Sequence, residues 1–102
     1  MKVLVEGHKY KLESFEGGEP QILQFIHKEP DEKNPGRFRT VSDGTTNEEV
    51  LRVLIDRMKR LQEKCACREN AIVITKLEES LMWLEKRTAN RVARNVEGTP
   101  AK

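Results

Sequence analysis

The sequence predicts an α+β fold, a small N-terminal antiparallel β-sheet followed by a two-helix antiparallel hairpin. Three observations point there. Up to about residue 44, apolar residues alternate in short runs cut by Gly and Pro. From Thr46 onward they recur at intervals of three and four. A short interruption, Lys64-Cys65-Ala66-Cys67-Arg68, then divides that second half in two. At 102 residues the chain has the length of a single domain. It is read as strands in 1–44, a helical hairpin in 45–95 and a tail in 96–102.

Each element has its own signal. Val3 and Val5 alternate with Lys2, Leu4 and Glu6, and Glu6-Gly7 turns the chain. His8 to Phe15 puts Tyr10 and Leu12 on one side and Lys9, Lys11 and Glu13 on the other, until Gly17-Gly18-Glu19-Pro20 breaks the run. Gln21 to Lys28 sets Ile22, Gln24 and Ile26 against Leu23, Phe25 and His27, with apolar residues on both faces as in a covered central strand. Glu29 to Gly36, with its two prolines, reads as a loop, and Arg37 to Ser42 as the fourth strand of a meander. Thr46 before Asn47, Glu48 and Glu49 combines a capping hydroxyl with acids at the positive end of a helix dipole. Leu51, Leu54, Met58 and Leu61 form the apolar stripe of that helix; Val50 and Val53 widen it, and Arg57 and Arg60 continue the wider row as cations. A second helix runs from about Glu69 to Arg94 on Ile74, Leu77, Leu81 and Leu84, with Thr88 in register. Two helices joined by so short a link pack as an antiparallel hairpin. Gly98 to Lys102 is expected to fray.

Composition narrows the function. Hydrophobic residues make up only 36% of the chain and charged ones 35%, a poor supply for the core of so small a domain. Oligomerisation is the expected source of further burial. No apolar run approaches the roughly 18 residues of a membrane span and no signal peptide opens the chain, so a soluble cytosolic protein is expected. With 19 basic against 17 acidic residues, the net charge of +2 argues against a polycation that coats DNA. The charge is uneven, however. Between Leu84 and Arg94 stand Lys86, Arg87, Arg91 and Arg94 against one acid, Glu85. A small anion is the ligand such a local patch suits.

Other chemistries find little support. Cys65 and Cys67 form C-x-C, but only His8 and His27, both in the strand half, could complete a four-ligand metal set. The two cysteines read as small, partly buried link residues, and no metal or cofactor is expected. His8 and His27 lack a partner at any nucleophile spacing. Glu78 and Glu79, adjacent on a helix, point about 100° apart and make no catalytic dyad. No phosphate loop, HExxH or nucleophile elbow is present, so an enzyme is not expected. What remains is Arg87, Arg91 and Arg94 at i, i+4 and i+7. Guanidinium groups grip phosphate oxygens in pairs, although a basic helix end that complements its dipole has the same spacing. Asn70 carries a donor and an acceptor suited to a base edge, or simply opens its helix.

Longer strings carry a resemblance. Asp43-Gly-Thr-Thr-Asn-Glu-Glu-Val-Leu-Arg-Val-Leu-Ile-Asp-Arg-Met-Lys, Cys67-Arg-Glu-Asn, Thr75-Lys-Leu-Glu-Glu-Ser-Leu-Met-Trp-Leu-Glu-Lys-Arg-Thr-Ala-Asn-Arg and Val96-Glu-Gly closely resemble the first Thoeris anti-defence family of phage proteins. Tyr10-Lys-Leu-Glu-Ser-Phe-Glu and Gln21-Ile-Leu-Gln-Phe-Ile are similar too, so the likeness covers nearly the whole chain, and the helical half also resembles the hairpin of phage anti-CBASS sponges. The resemblance implies a sponge. It would hold the cyclic ADP-ribose isomers made in Thoeris immunity (glycocyclic ADP-ribose) without cleaving them, in the cytoplasm of the infected bacterium, with no DNA or membrane partner. It implies a homo-oligomer, a hexamer in some relatives, with CBASS cyclic dinucleotides or trinucleotides at separate pockets between subunits. Carried over by position, Asn70 contacts the base or ribose, and Arg87 and Arg91 grip the phosphates. Arg60 stands where relatives often have an aromatic ring for stacking on adenine, and Cys65-Ala66 where they often have Phe-Pro. Arg37 or Arg39 could close the pocket from the sheet. The rival reading is an oligomeric interaction module that docks a host protein and binds no small molecule.

Overall fold

A computed structural model of the chain describes residues 1–99 and 102. The described residues form two compact units, one of Met1–Thr46 with Gly98 and Thr99, the other of Asn47–Glu97 with Lys102.

The first unit is β throughout. Strands β1 (Lys2–Val5), β2 (Lys9–Leu12) and β3 (Gln21–Gln24) form an antiparallel sheet in the order β1-β2-β3. The β1–β2 turn closes with the His8 amide donating to the Val5 carbonyl at 2.9 Å. Gly7 sits there at φ 76°, a conformation that side chains with a Cβ rarely adopt. Strands β4 (His27–Pro30) and β5 (Phe38–Ser42) form a separate antiparallel pair. The expected single run from Gln21 to Lys28 is therefore two strands, and the meander is two sheets. The reason lies outside the run: Phe25 makes a parallel bridge to Thr45. The Thr45 amide donates to the Gln24 carbonyl at 2.9 Å, and the Ile26 amide to the Thr45 carbonyl at 2.8 Å. A Cβ on the neighbouring Gly44 would lie 2.5 Å from the Gln24 carbonyl oxygen and 2.6 Å from the Phe25 carbonyl carbon, so only glycine admits this approach.

Two further expectations change. The covered central strand is β2, with Lys9, Tyr10 and Lys11 half-buried, whereas β3 is an edge strand with Ile22 exposed. Pro30 ends β4 opposite Phe38 instead of starting the loop, because a two-stranded ribbon tolerates a missing amide at its end. Tyr10 and Phe25 meet edge to face at 6.0 Å, and the imidazoles of His8 and His27 stack at 3.6 Å.

The second unit is the hairpin of α1 (Asn47–Lys64) and α2 (Arg68–Ala93). Arg52 pairs with Glu85 at 3.5 Å and Lys59 with Glu78 at 3.3 Å, so positions rising along α1 fall along α2 and the helices are antiparallel. Besides Glu48 and Val50 in the first turn of α1, the half-buried residues are Leu51, Ile55, Met58 and Gln62 on α1, and on α2 Asn70, Ile74, Leu77, Leu81 and Leu84. Their alternating spacings of four and three make a coiled-coil seam. The α2 stripe is thus the one expected, apart from Thr88, which is exposed; on α1, Leu54, Leu61 and Val53 lie outside the seam and are exposed too.

Gln62 holds the link together. Its Nε2 donates to the Cys67 carbonyl at 3.0 Å, and its Oε1 accepts from the Cys67 amide at 3.1 Å. Both cysteines are exposed rather than partly buried. Cys67 also caps α2, its Sγ accepting from the Asn70 amide at 3.4 Å. The far end of α2 closes as a Schellman turn, with Asn95 left-handed at φ 58°, the Val96 amide on the Arg91 carbonyl and the Asn95 amide on the Val92 carbonyl, each at 3.0 Å. Part of the expected fraying, at residues 100–101, lies outside the described residues. Lys102 is described, and its carbonyl accepts from Arg94 Nη1 at 2.7 Å.

No apolar residue among those described is fully buried. The chain exposes 8231 Å², whereas two wholly separate globules of half its mass would together expose about 7100 Å². Exposed large apolar residues of the hairpin include Val53, Leu54 and Leu61 on α1, and Ile72, Val73, Met82, Trp83 and Val92 on α2.

Candidate functional site

The basic end of α2 forms a cleft of about 460 Å³ lined by Trp83, Lys86, Arg87, Asn90, Arg91, Arg94 and Lys102. Helical geometry explains the gathering. Trp83, Arg87, Asn90 and Arg94 follow one another at intervals of four, three and four and share one face. That face turns away from the seam, so the side chains remain open to solvent.

The three arginines differ in state. Arg87 is exposed and has no hydrogen-bond or ion-pair partner among the described residues. Arg94 receives support on both sides, its Nε donating to Asn90 Oδ1 at 2.9 Å and its Nη1 to the Lys102 carbonyl. Arg91 is the one buried residue among those described, at 7% exposure. Its Nη2 donates to the Val96 carbonyl at 3.0 Å, and its Nε lies 3.3 Å from the Glu97 carboxylate. The Schellman turn swings the tail back across Arg91, and a carboxylate of the chain itself already stands beside that guanidinium. Trp83 adds an aromatic plane with the Lys86 Nζ 4.8 Å from its centroid, a cation–π contact. Cations, an amide and an indole around one cleft are suited to a nucleotide phosphate ester.

The other expected residues lie elsewhere. Asn70 is one turn into α2, half-buried on the seam beside the link. It stands 17 residues before Arg87 and 21 before Arg91, about 25 and 32 Å along one helix. Arg60 lines a separate groove on α1 with Arg52, Val53, Arg57, Leu61 and Lys64. There it pairs with Asp56 at 3.8 Å and Glu63 at 3.6 Å. The Arg52–Glu85 and Lys59–Glu78 pairs set Arg60 level with residues 77–78, about 14 Å along the axis from Arg87. Arg39 belongs to the strand unit, where it faces Glu29 across β4 and β5 and pairs with it at 3.1 Å; His27 Nε2 reaches the other oxygen of the same carboxylate at 3.3 Å. Arg37 is exposed, and its backbone closes the 31–37 loop.

Within one hairpin, then, Arg87 and Arg91 line the same cleft, while Asn70 and Arg60 do not reach it. Trp83 and Asn90 went unremarked in the sequence as lining residues, although their spacing from Arg87 was a usable signal. Among the described residues, no group of three or more His, Cys, Asp or Glu side chains is placed to hold a metal ion, and no helix is long and apolar enough to cross a membrane.

Two comparisons relate the chain to known proteins. Over 62 residues, 60% of this chain and 44% of the relative, the sequence is 52% identical to a protein of Bacillus phage SBSphiJ7 named Thoeris anti-defense 1. The matched part therefore spans less than half of that relative's length. Residues 24–89, well over half of the chain and including α1, the link and most of α2, match the family described as Acb2/Tad1, hairpin domain. The chain belongs to the Acb2/Tad1 hairpin-domain family.

Proposed function

We propose that the chain is a phage anti-defence sponge, acting in the cytoplasm of the infected host, that binds cyclic ADP-ribose isomers of Thoeris immunity and keeps them intact. The observation that carries this reading is the Arg87 cleft, where five side-chain cations, an amide and an indole converge in a volume suited to a small nucleotide. The similarity to Thoeris anti-defense 1 supports the signal class.

Affinity sets the architecture. Useful capture of a potent signal calls for nanomolar binding, about 12 kcal/mol. Charge-assisted hydrogen bonds contribute about 1.5–3 kcal/mol each, and an open cleft on one helix offers too few of them. A ligand held between two copies gains the second copy's donors and loses its water. The wide separation of Asn70 from Arg87 and Arg91 supports the same arrangement, since one compact ligand can meet them all only if they come from different chains. Exposed apolar residues such as Val53, Leu54, Leu61, Ile72 and Val73 supply the surface for a homo-oligomer, a hexamer by the family resemblance. Arg91 takes part when a ligand phosphate shares its guanidinium with Glu97 or displaces that carboxylate. Cyclic dinucleotides or trinucleotides of CBASS immunity are a second ligand class for other pockets between subunits.

The test is to incubate the purified protein with extract from Thoeris-activated cells, remove free ligand, heat the protein and identify what it releases by mass spectrometry. An intact cyclic ADP-ribose isomer is expected from the wild type, and little or none from Arg87→Ala. A cleaved product refutes storage. No released ligand, with assembly unaffected, refutes the sponge and favours the interaction module that the uncovered apolar surface also suits.

A further inference from the structure

We propose that Trp83 is the base-stacking platform of the Arg87 cleft, so that a bound nucleotide lies with its base on the indole, its phosphates on Arg87 and its polar edge toward Asn90. The inference rests on the sponge reading and adds which residue holds the base.

The aromatic inventory leaves little choice. Tyr10 and Phe25 are engaged with each other, and His8 is stacked on His27. Phe38 is half-buried on β5 and Phe15 stands in a loop of the strand unit. Trp83 is the single tryptophan of the chain and the sole aromatic residue of the hairpin. It is 59% exposed, on a helix whose apolar seam does not need it. A large indole left in water costs solubility and calls for an occupant. Its neighbours say which kind. Lys86 lies over the ring, Arg87 follows one turn later and Asn90 a turn after that, all lining the same cleft. A purely apolar protein partner would have to bury these cations unpaired, which is unfavourable. A nucleotide satisfies both demands, since every base has a π face for the indole and every phosphate has oxygens for the guanidinium. Arg60, the other cation with a planar group considered for stacking, sits in a different groove between two acids.

Because Trp83 is the only tryptophan, its fluorescence reads this one ring. The experiment titrates the assembled protein with cyclic ADP-ribose, and separately with inorganic pyrophosphate, following emission and calorimetric heat in parallel. Saturable quenching by cyclic ADP-ribose is expected at the calorimetric midpoint, with much weaker quenching by pyrophosphate, which has no base. Trp83→Phe keeps affinity within about threefold, whereas Trp83→Ala weakens it about tenfold or more, with helicity and sedimentation mass unchanged. Calorimetric binding without quenching, equal quenching by pyrophosphate, or wild-type affinity in Trp83→Ala overturns the platform and leaves the sponge standing. A changed sedimentation mass in Trp83→Ala assigns the indole to a subunit interface and also overturns it. Absence of binding to every cyclic ADP-ribose isomer tried, the glycocyclic ones included, overturns both.

Discussion

Mixing two inactive variants can reveal whether a site is built from one chain or two. Asn70 and Arg87 both lie on α2, separated by 17 residues and about 25 Å of helical rise. The cleft at Arg87 has the volume of a sphere only about 10 Å across. A ligand of that size spans less than half the gap, so a site that uses both side chains takes them from different copies. Asn70→Ala and Arg87→Ala should each abolish tight binding. Arg87 is exposed and has no hydrogen-bond or ion-pair partner among the described residues, so its truncation leaves the fold intact. Asn70 is half-buried on the seam, so circular dichroism checks the fold of Asn70→Ala. When the two variants are unfolded together in equal amounts and refolded, copies assort at random. A pairwise site works when one neighbour supplies a natural Asn70 and the other a natural Arg87, which occurs at about one quarter of sites. The same fraction holds in a dimer and in any larger ring of paired copies. Isothermal titration with cyclic ADP-ribose reads it directly as a stoichiometry near one quarter of the wild-type value, at wild-type affinity. A mixture that recovers no sites after verified exchange shows that each chain carries its own site, and the reasoning from helix length fails with it.

Four further outcomes follow from the geometry. Gly44→Ala drives a Cβ into the Gln24 and Phe25 carbonyls, and should destabilise the strand unit by about 1–3 kcal/mol with amide exchange rising at Ile26 and Thr45. Asn95 is left-handed, so Asn95→Val should cost about 1–2 kcal/mol in thermal melts while Asn95→Gly costs nothing or stabilises slightly. Glu97→Gln removes the carboxylate beside Arg91 and should strengthen binding of inorganic pyrophosphate several-fold, at about 1 kcal/mol of stability; unchanged affinity would mean that Arg91 is no part of the anion site. The Asp31 carboxyl is held below its ordinary range, chiefly by the Asn34 side-chain amide and then by the Lys33 backbone amide. A lowered carboxylate stabilises its loop above its unfolded value of about 3.9 and loses that support as pH falls through the lower folded value. Exchange in the 31–37 loop should therefore quicken only in acid, and Asn34→Ala should shift that onset upward.

The sequence made the α+β order and both helices plain because these rest on local periodicity. The division into two sheets was hidden because it depends on Thr45 reaching back 20 residues to bridge Phe25, while the alternation through 21–28 continues unbroken. On α1, two neighbouring rows were available, an apolar one through Leu54 and Leu61 and a mixed one through Ile55 and Gln62. A period of 3.6 fits both, and the choice belongs to α2, as the Arg52–Glu85 and Lys59–Glu78 pairs show. Arg87 was legible as a member of a cation row. Arg91 was legible as a charge but not as a buried one, because its partners Val96 and Glu97 lie beyond the helix, where Asn95 reverses the chain.

If the proposed sponge is right, poor burial and ligand capture become two sides of one equilibrium. On the sponge reading, a chain with no fully buried apolar residue among those described would draw part of its stability from contact with another copy. If the ligand sits across that contact, it binds the assembled state and not the separated one, and each bound molecule strengthens the assembly by RT ln(1 + [L]/Kd). At a hundredfold excess over Kd that amounts to about 2.7 kcal/mol per site. Such a sponge would tighten as it fills: the apolar residues on α1 and α2 that a self-sufficient monomer would bury would instead couple subunit association to occupancy of the arginine cleft. On this argument, a substitution that fills the hairpin seam and stabilises the isolated chain leaves affinity unchanged, whereas one that weakens the copy-to-copy contact lowers stability and affinity together.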